Sequence, residues 1–286
     1  MNRKSRIDGL RRFTLSIAIA AIVVGCSSKS SDSVGPTAES ELVDGYPNPA
    51  LWSEANKEQA YRAAKSFHEL RQRKVPVYEG PLFVGDVEGV RLQSPQAVAK
   101  RTLVLWAVEL RAEGIPQQEA LGLIEKLDLW DAVSPEEKNF LEDANPDPDQ
   151  SQQLVWRLES IWVLLWSLGY IDDLDWPSGM CDVAKLVEIM KLQESSPEFI
   201  SGAKLRSKSE ILDAQDLTMR IHWAIRDAYF NHDEMIPAEL DWSSGGEKVR
   251  IDSSPAVGVV EQRHYVLNWL VNFLDPEDWD HVDTPT

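Results

Sequence analysis

Arg157 and Glu159 stand among neighbours that do not match their chemistry. They lie in the segment 150–169, where Leu154, Trp156, Leu158, Ile161, Trp162, Leu165, Trp166 and Leu168 leave little polar circumference. Turning residues by roughly 100° per step puts Arg157 between Leu164 and Leu168, and Glu159 between Val163 and Trp166. The two are about 160° apart on that wheel, so each needs a partner from another element. Arg263 falls in an apolar arc with Val259, Val266, Leu267 and Leu270, and Arg101 falls between Leu105 and Val108. In 208–231, Asp213, Asp216, Arg220 and Asp227 share one stripe, and Asp216 and Arg220 are spaced to pair along a helix. Buried charges persist only when paired and hydrogen-bonded. An inter-helix network is therefore expected, with Glu159 facing Arg263 or Arg220 and Arg157 facing Asp216 or Asp213.

Such a network has two uses. It can line a pocket for a polar ligand, or it can fix helix register inside a core. A catalytic version would use Glu159 or His222 as the base beside Arg220 or Arg263, in a hydrolase-type reaction. Glu261 and His264 form an E-x-x-H, the spacing that puts two ligands on one helix face in di-iron bundles. A second copy and facing carboxylates are missing from the sequence, and Glu261, His264 and Asn268 lie opposite the apolar arc, as a solvated face would. No metal or other cofactor is expected. The chain has no G-x-S-x-G, H-E-x-x-H, P-loop or dinucleotide fingerprint.

The elements that must position these residues read as helices. Ser94-Pro95, Ser134-Pro135-Glu136-Glu137, Ser207 with Glu210, and Ser254-Pro255 are helix starts, each with a capping residue and several with Pro at the first helical position. They predict helices over about 95–113, 116–128, 135–143, 150–169, 181–193, 208–231 and 257–274, after an amphipathic helix over 54–73. Val75–Leu92, with Pro76, Gly80, Pro81, Gly85 and Gly89, reads as extended or hairpin-like and is the best candidate for a strand. Residues 232–256 read as a long loop. The predicted architecture is a single all-α, multi-helix domain over 51–286, with a short extended segment near its start.

The 286 residues are 43% hydrophobic and 27% charged, enough for a core of useful size. Acids outnumber bases 47 to 29, for a net charge of −18. That balance repels phosphate backbones and argues against a nucleic-acid partner. The N-terminus reads as an address. Arg3, Lys4, Arg6, Arg11 and Arg12 precede an apolar run from Phe13 to Val24, followed by Gly25-Cys26-Ser27. Val23-Val24-Gly25-Cys26 resembles the bacterial lipobox, which implies cleavage after residue 25 and acyl chains, palmitate among them, on Cys26. Residues 26–50 then form a Ser-rich, flexible tether. Loss of 1–25 removes five bases and one acid and leaves a charge of −22. The expectation is an acidic lipoprotein of the cell envelope, held to a membrane through Cys26. Ser27 points to the outer membrane, with the body facing the periplasm. With Cys26 lipidated, Cys181 is the remaining cysteine, expected as a small buried or capping residue.

Several words of the sequence occur in a family order. Trp156-Arg157-Leu158-Glu159 with Leu164-Leu165-Trp166-Ser167-Leu168-Gly169 resembles the centre of an uncharacterised bacterial family, domain of unknown function 4272. Leu205-Arg206-Ser207, Glu210-Ile211-Leu212-Asp213, Arg220-Ile221-His222-Trp223, Glu261-Gln262-Arg263-His264 and Asp278-Trp279-Asp280 continue the order from about Arg91 to the C-terminus. The resemblance implies an α-helical domain and no established activity. The functional expectation is a binding module for another envelope protein or a small polar ligand; a hydrolase is the alternative.

Overall fold

The computed structural model describes residues 54–286 apart from 195, 197, 232–234, 242–248, 252–253 and 277. The signal segment, Cys26 and the tether lie outside the described residues. Ten α-helices are described: α1 (Lys57–Gln72), α2 (Pro95–Ala112), α3 (Gln117–Lys126), α4 (Pro135–Glu142), α5 (Pro148–Leu154), α6 (Arg157–Ser167), α7 (Val183–Gln193), α8 (Glu198–Ser201), α9 (Lys208–Asn231) and α10 (Pro255–Leu270). Short 3-10 turns cover Trp130–Ala132, Ala238–Leu240 and Trp279–His281. The one β-bridge among the described residues joins Met235 and Arg250 inside the predicted loop. The all-α expectation holds.

The capping residues act as read. Ser94 accepts from the Ala97 N–H, and Ser134 forms a full capping box with Glu137. Ser254 accepts from the Ala256 N–H. Asp182, which the sequence reading did not mark, caps α7 through the Lys185 N–H, so that helix begins at Val183 and not at 181. These bonds satisfy amides that the first turn leaves unpaired.

The single helix predicted over 150–169 is two. Between α5 and α6 the bonds tighten to the i→i+3 type, Trp156 N–H to Gln153 O and Leu158 N–H to Val155 O, both at 3.3 Å. The break lays the Trp156 indole on Gly258 of α10, where an added Cβ would come within 3.0 Å of the ring. At the other end of α10, the last turn finishes at Leu270, short of 274, and Asn272, Leu274 and Asp275 take positive φ.

Residues 75–92 run without helix, with a turn at 87–89, and among the described residues pair with no strand. Their carbonyls accept from side chains instead: Leu82 O from Arg220, Val84 O from Gln59, Gly85 O from Arg62, and both Val87 O and Val90 O from Lys208. An extended segment without ladder partners still has to meet its backbone polar groups, and helix side chains do so here.

The main helices pack in the order α1, α9, α10, α6, α2, with α3, α4, α5 and α8 against α2. Helices α10 and α6 are therefore covered on two sides. This is why His264 and Asn268 are buried although both lie opposite the apolar arc of their helix, and why Glu159 is fully enclosed. Trp279 docks near the end of the chain, its ring edge-on to Tyr265 and Trp269 and under the Arg101 guanidinium.

Candidate functional site

The predicted charged residues do not form one network. Glu159 and Arg263 are paired in the core, 0% and 3% exposed, with Arg263 Nε 3.3 Å from Glu159 Oε2. The other Glu159 oxygen accepts from the Cys181 N–H at 2.5 Å, and Arg263 Nη1 donates to the Asp175 carbonyl. Asp216 and Arg220 form a two-point pair along α9, at 2.8 and 3.0 Å, each 1% exposed. That guanidinium also lies over the Phe67 ring, 4.7 Å from its centre.

Arg157 faces neither Asp216 nor Asp213. It donates to Gln262 Oε1 at 3.1 Å and lies over Tyr265 and Trp279. Those acids are on α9, and α10 stands between α9 and α6, so Arg157 meets α10 first. Asp213 pairs instead with Arg62 and Lys65 of α1. Arg101 finds Glu137, one guanidinium nitrogen lying 2.7 Å from both carboxylate oxygens.

His222 and His264 meet between α9 and α10, Nδ1 to Nδ1 at 2.9 Å with rings at 88°. One ring must donate and the other accept, so the two imidazoles hold opposite tautomers. Burial pushes His222 down to about 4, with help from Arg226, and pushes His264 down to about 3, with help from His222. At neutral pH the pair is uncharged. Glu261 remains exposed on the same helix. Among the described residues no three His, Cys, Asp or Glu side chains converge as metal ligands. Cys181 is buried as expected, and burial, with Glu159 next to it, pushes its thiol up, away from thiolate.

A cleft of about 570 Å³ opens between α1, α9 and the segment from Trp166 to Pro177. Its lining includes two residues of the predicted set, Asp213 and Arg263. Most of it was not anticipated: Arg62, Lys65 and Arg73 from the first helix and its end, Arg206, and Asp172, Asp173, Asp175 and Trp176 from the segment after α6.

Half-buried Arg206 and the buried Arg263–Glu159 pair hold this segment in place. Arg206 donates through Nε to Trp166 O at 2.8 Å and through Nη2 to Ile171 O and Asp172 O at 2.8 and 2.7 Å. Arg263 takes Asp175 O, and Glu159 takes the Cys181 N–H. Three side chains thus fasten one loop at its backbone, and the loop's own carboxylates stay on the outside.

The charges of the cleft divide cleanly. Each of its five Arg and Lys residues is in an ion pair: Arg62 with Glu58 and Asp213, Lys65 with Asp213, Arg73 with Glu69, Arg206 with Glu210, and Arg263 with Glu159. Glu210 is held below the usual carboxylate range, first by bonds from Ser207 and then by Arg206. Asp172, Asp173 and Asp175 are exposed, and among the described residues their carboxylates have no ion-pair or hydrogen-bond partner. The Arg73 guanidinium stacks 4.3 Å from the centre of the Trp176 ring, so that ring face already receives a cation.

Nothing among the curated proteins or the solved structures matches this chain. The family model described as Domain of unknown function (DUF4272) matches residues 62–282, so the match takes in most of α1 as well as the words that begin near Arg91. The chain belongs to that family.

Proposed function

We propose that this domain is a binding module, held at the periplasmic face of the outer membrane by acyl chains on Cys26, whose cleft takes a small organic cation. One observation carries the reading: three carboxylates without partners edge a cleft in which every cation is already engaged. The volume suits a small molecule or a single side chain. An ammonium or guanidinium group supplies the counter-charge and the N–H donors that these carboxylates lack. An arginine or lysine side chain of another envelope protein offers the same chemistry as a free amine.

A hydrolase reading finds little support in the residues that suggested it. Both Glu159 oxygens are bonded, and His222 faces His264 across the α9–α10 contact.

The test is a calorimetric titration of the full-length chain with agmatine, with citrate as the anionic control. Saturable agmatine binding that weakens with salt is expected, because exposed carboxylates are screened. No saturable heat, or citrate binding as well as agmatine, would contradict the reading. For the anchor, Cys26→Ser is expected to abolish palmitate incorporation and release the protein from the membrane fraction. Membrane retention of the unlabelled variant would count against lipidation.

A further inference from the structure

A second cleft, about 400 Å³, lies away from the first, between the extended segment and the end of α10. Gln59, Gly85, Asp86, Arg91, Gln215 and Asn272 supply its polar lining, with Val90, Val271 and Phe273 as apolar neighbours. Gln215 is 2% exposed. Its Nε2 donates to Asn268 Oδ1 at 2.8 Å, and Asn268 in turn donates to Asp283 O, so the direction of this chain is set. The Gln215 Oε1 is left buried with no donor. An orphaned buried acceptor costs free energy comparable to a lost hydrogen bond, so a donor brought by a ligand would be stabilised there.

The other polar groups of this cleft are occupied. Asp86 accepts from Gly89 N–H and Asn56 Nδ2, Gln59 bonds Val84 O and the Asn56 N–H, and Asn272 bonds Gln93 and Arg91 O. Arg91 is paired with Asp275. The one acid and the one base of the lining are therefore both engaged, in contrast with the first cleft. Gly85 has open space beside it, since an added Cβ would meet only Val90 Cβ, at 3.9 Å.

We propose that this cleft binds a neutral, hydroxyl-bearing small molecule of the polyol or saccharide class, with one hydroxyl donating to Gln215 Oε1. The absence of an unpaired charge selects a neutral ligand, the orphaned acceptor requires a donor, and Val90, Val271 and Phe273 offer an apolar face to the carbon skeleton. The site is independent of the cation cleft and does not rest on that reading.

The experiment is saturation-transfer NMR on the full-length chain with glucose, N-acetylglucosamine and glycerol as probes. It is repeated on Gln215→Met and Gly85→Leu. The first variant removes the acceptor, and the second fills the cleft while leaving the Gln215–Asn268 bond alone. At least one probe is expected to bind the parent chain, about tenfold more weakly to Gln215→Met, and not at all to Gly85→Leu, whose melting temperature is expected to stay at the parent value. Absence of binding by all three probes would overturn the proposal. So would binding that survives Gly85→Leu, or a crystal soaked in the best probe that holds only an ordered water on Oε1.

Discussion

Glu159 with Arg263 and the Asp172–Asp175 run lie on the two sides of the same loop and are treated in opposite ways. Inside, every charge is paired and also bonded to backbone: Arg263 to Asp175 O, Glu159 to Cys181 N–H. Outside, the carboxylates of Asp172, Asp173 and Asp175 are exposed and unpaired. The buried charges hold a shape, and the exposed ones are available for binding. A charge stranded in an apolar helix face therefore marks the support of the candidate site in this protein, not the site itself.

The largest expected break in that comparison is Arg263→Met. It leaves Glu159 buried with no counter-charge and frees Asp175 O, and should cost about 3–5 kcal/mol in denaturant unfolding. A cost below ~1 kcal/mol would mean that the inner pair does not hold the loop.

Acid should act on the interior next. The folded-state values of His222 and His264 lie below the ordinary 6.5, so between that pH and about 4 the unfolded chain binds more protons than the folded one. The histidines' contribution to stability is complete above pH 6.5 and is lost as the pH drops toward 4, by about 3 kcal/mol for His222 alone. The double variant His222→Leu/His264→Leu should flatten that limb of a stability–pH curve. Glu109 works with the opposite sign. It is buried in α2 with no donor on either oxygen, and burial, then Glu113, pushes it up to about 8. Stability therefore falls as the pH rises from 4.5 toward 8, and Glu109→Gln should remove that fall in the same unfolding series.

The smallest effect sharpens the contrast from outside. Lys65 pairs with Asp213 at the cleft but is 58% exposed, so Lys65→Ala should change unfolding free energy by less than about 1 kcal/mol. The same variant should strengthen agmatine binding, because it removes a competing cation from the cleft.

Much of the scaffold was legible in the sequence. Ser94, Ser134 and Ser254 start helices where their Pro partners indicate, and the i,i+4 spacing of Asp216 and Arg220 gives the observed pair. The wheel identified Glu159, Arg263 and Arg101 as buried. It failed for His264 and Asn268 because it assumes one wet face per helix, and α10 is packed between α9 and α6. The break at Val155–Trp156 sets the Trp156 indole on Gly258, 102 positions away in the sequence, a contact that no local periodicity encodes. The cleft was illegible for a similar reason. Arg62, Arg206 and Trp176 come from separate segments, and of the lining only Asp213 and Arg263 stood out as stranded charges in the sequence.

Support and site are separable across this loop. The most direct measurement combines thermal unfolding and agmatine calorimetry on the triple variant Asp172→Asn/Asp173→Asn/Asp175→Asn, in the full-length chain. The melting temperature is expected to equal or exceed that of the parent, since a like-charge cluster has been removed, and agmatine binding is expected to be lost. A lowered melting temperature, or agmatine affinity equal to that of the parent, would contradict it.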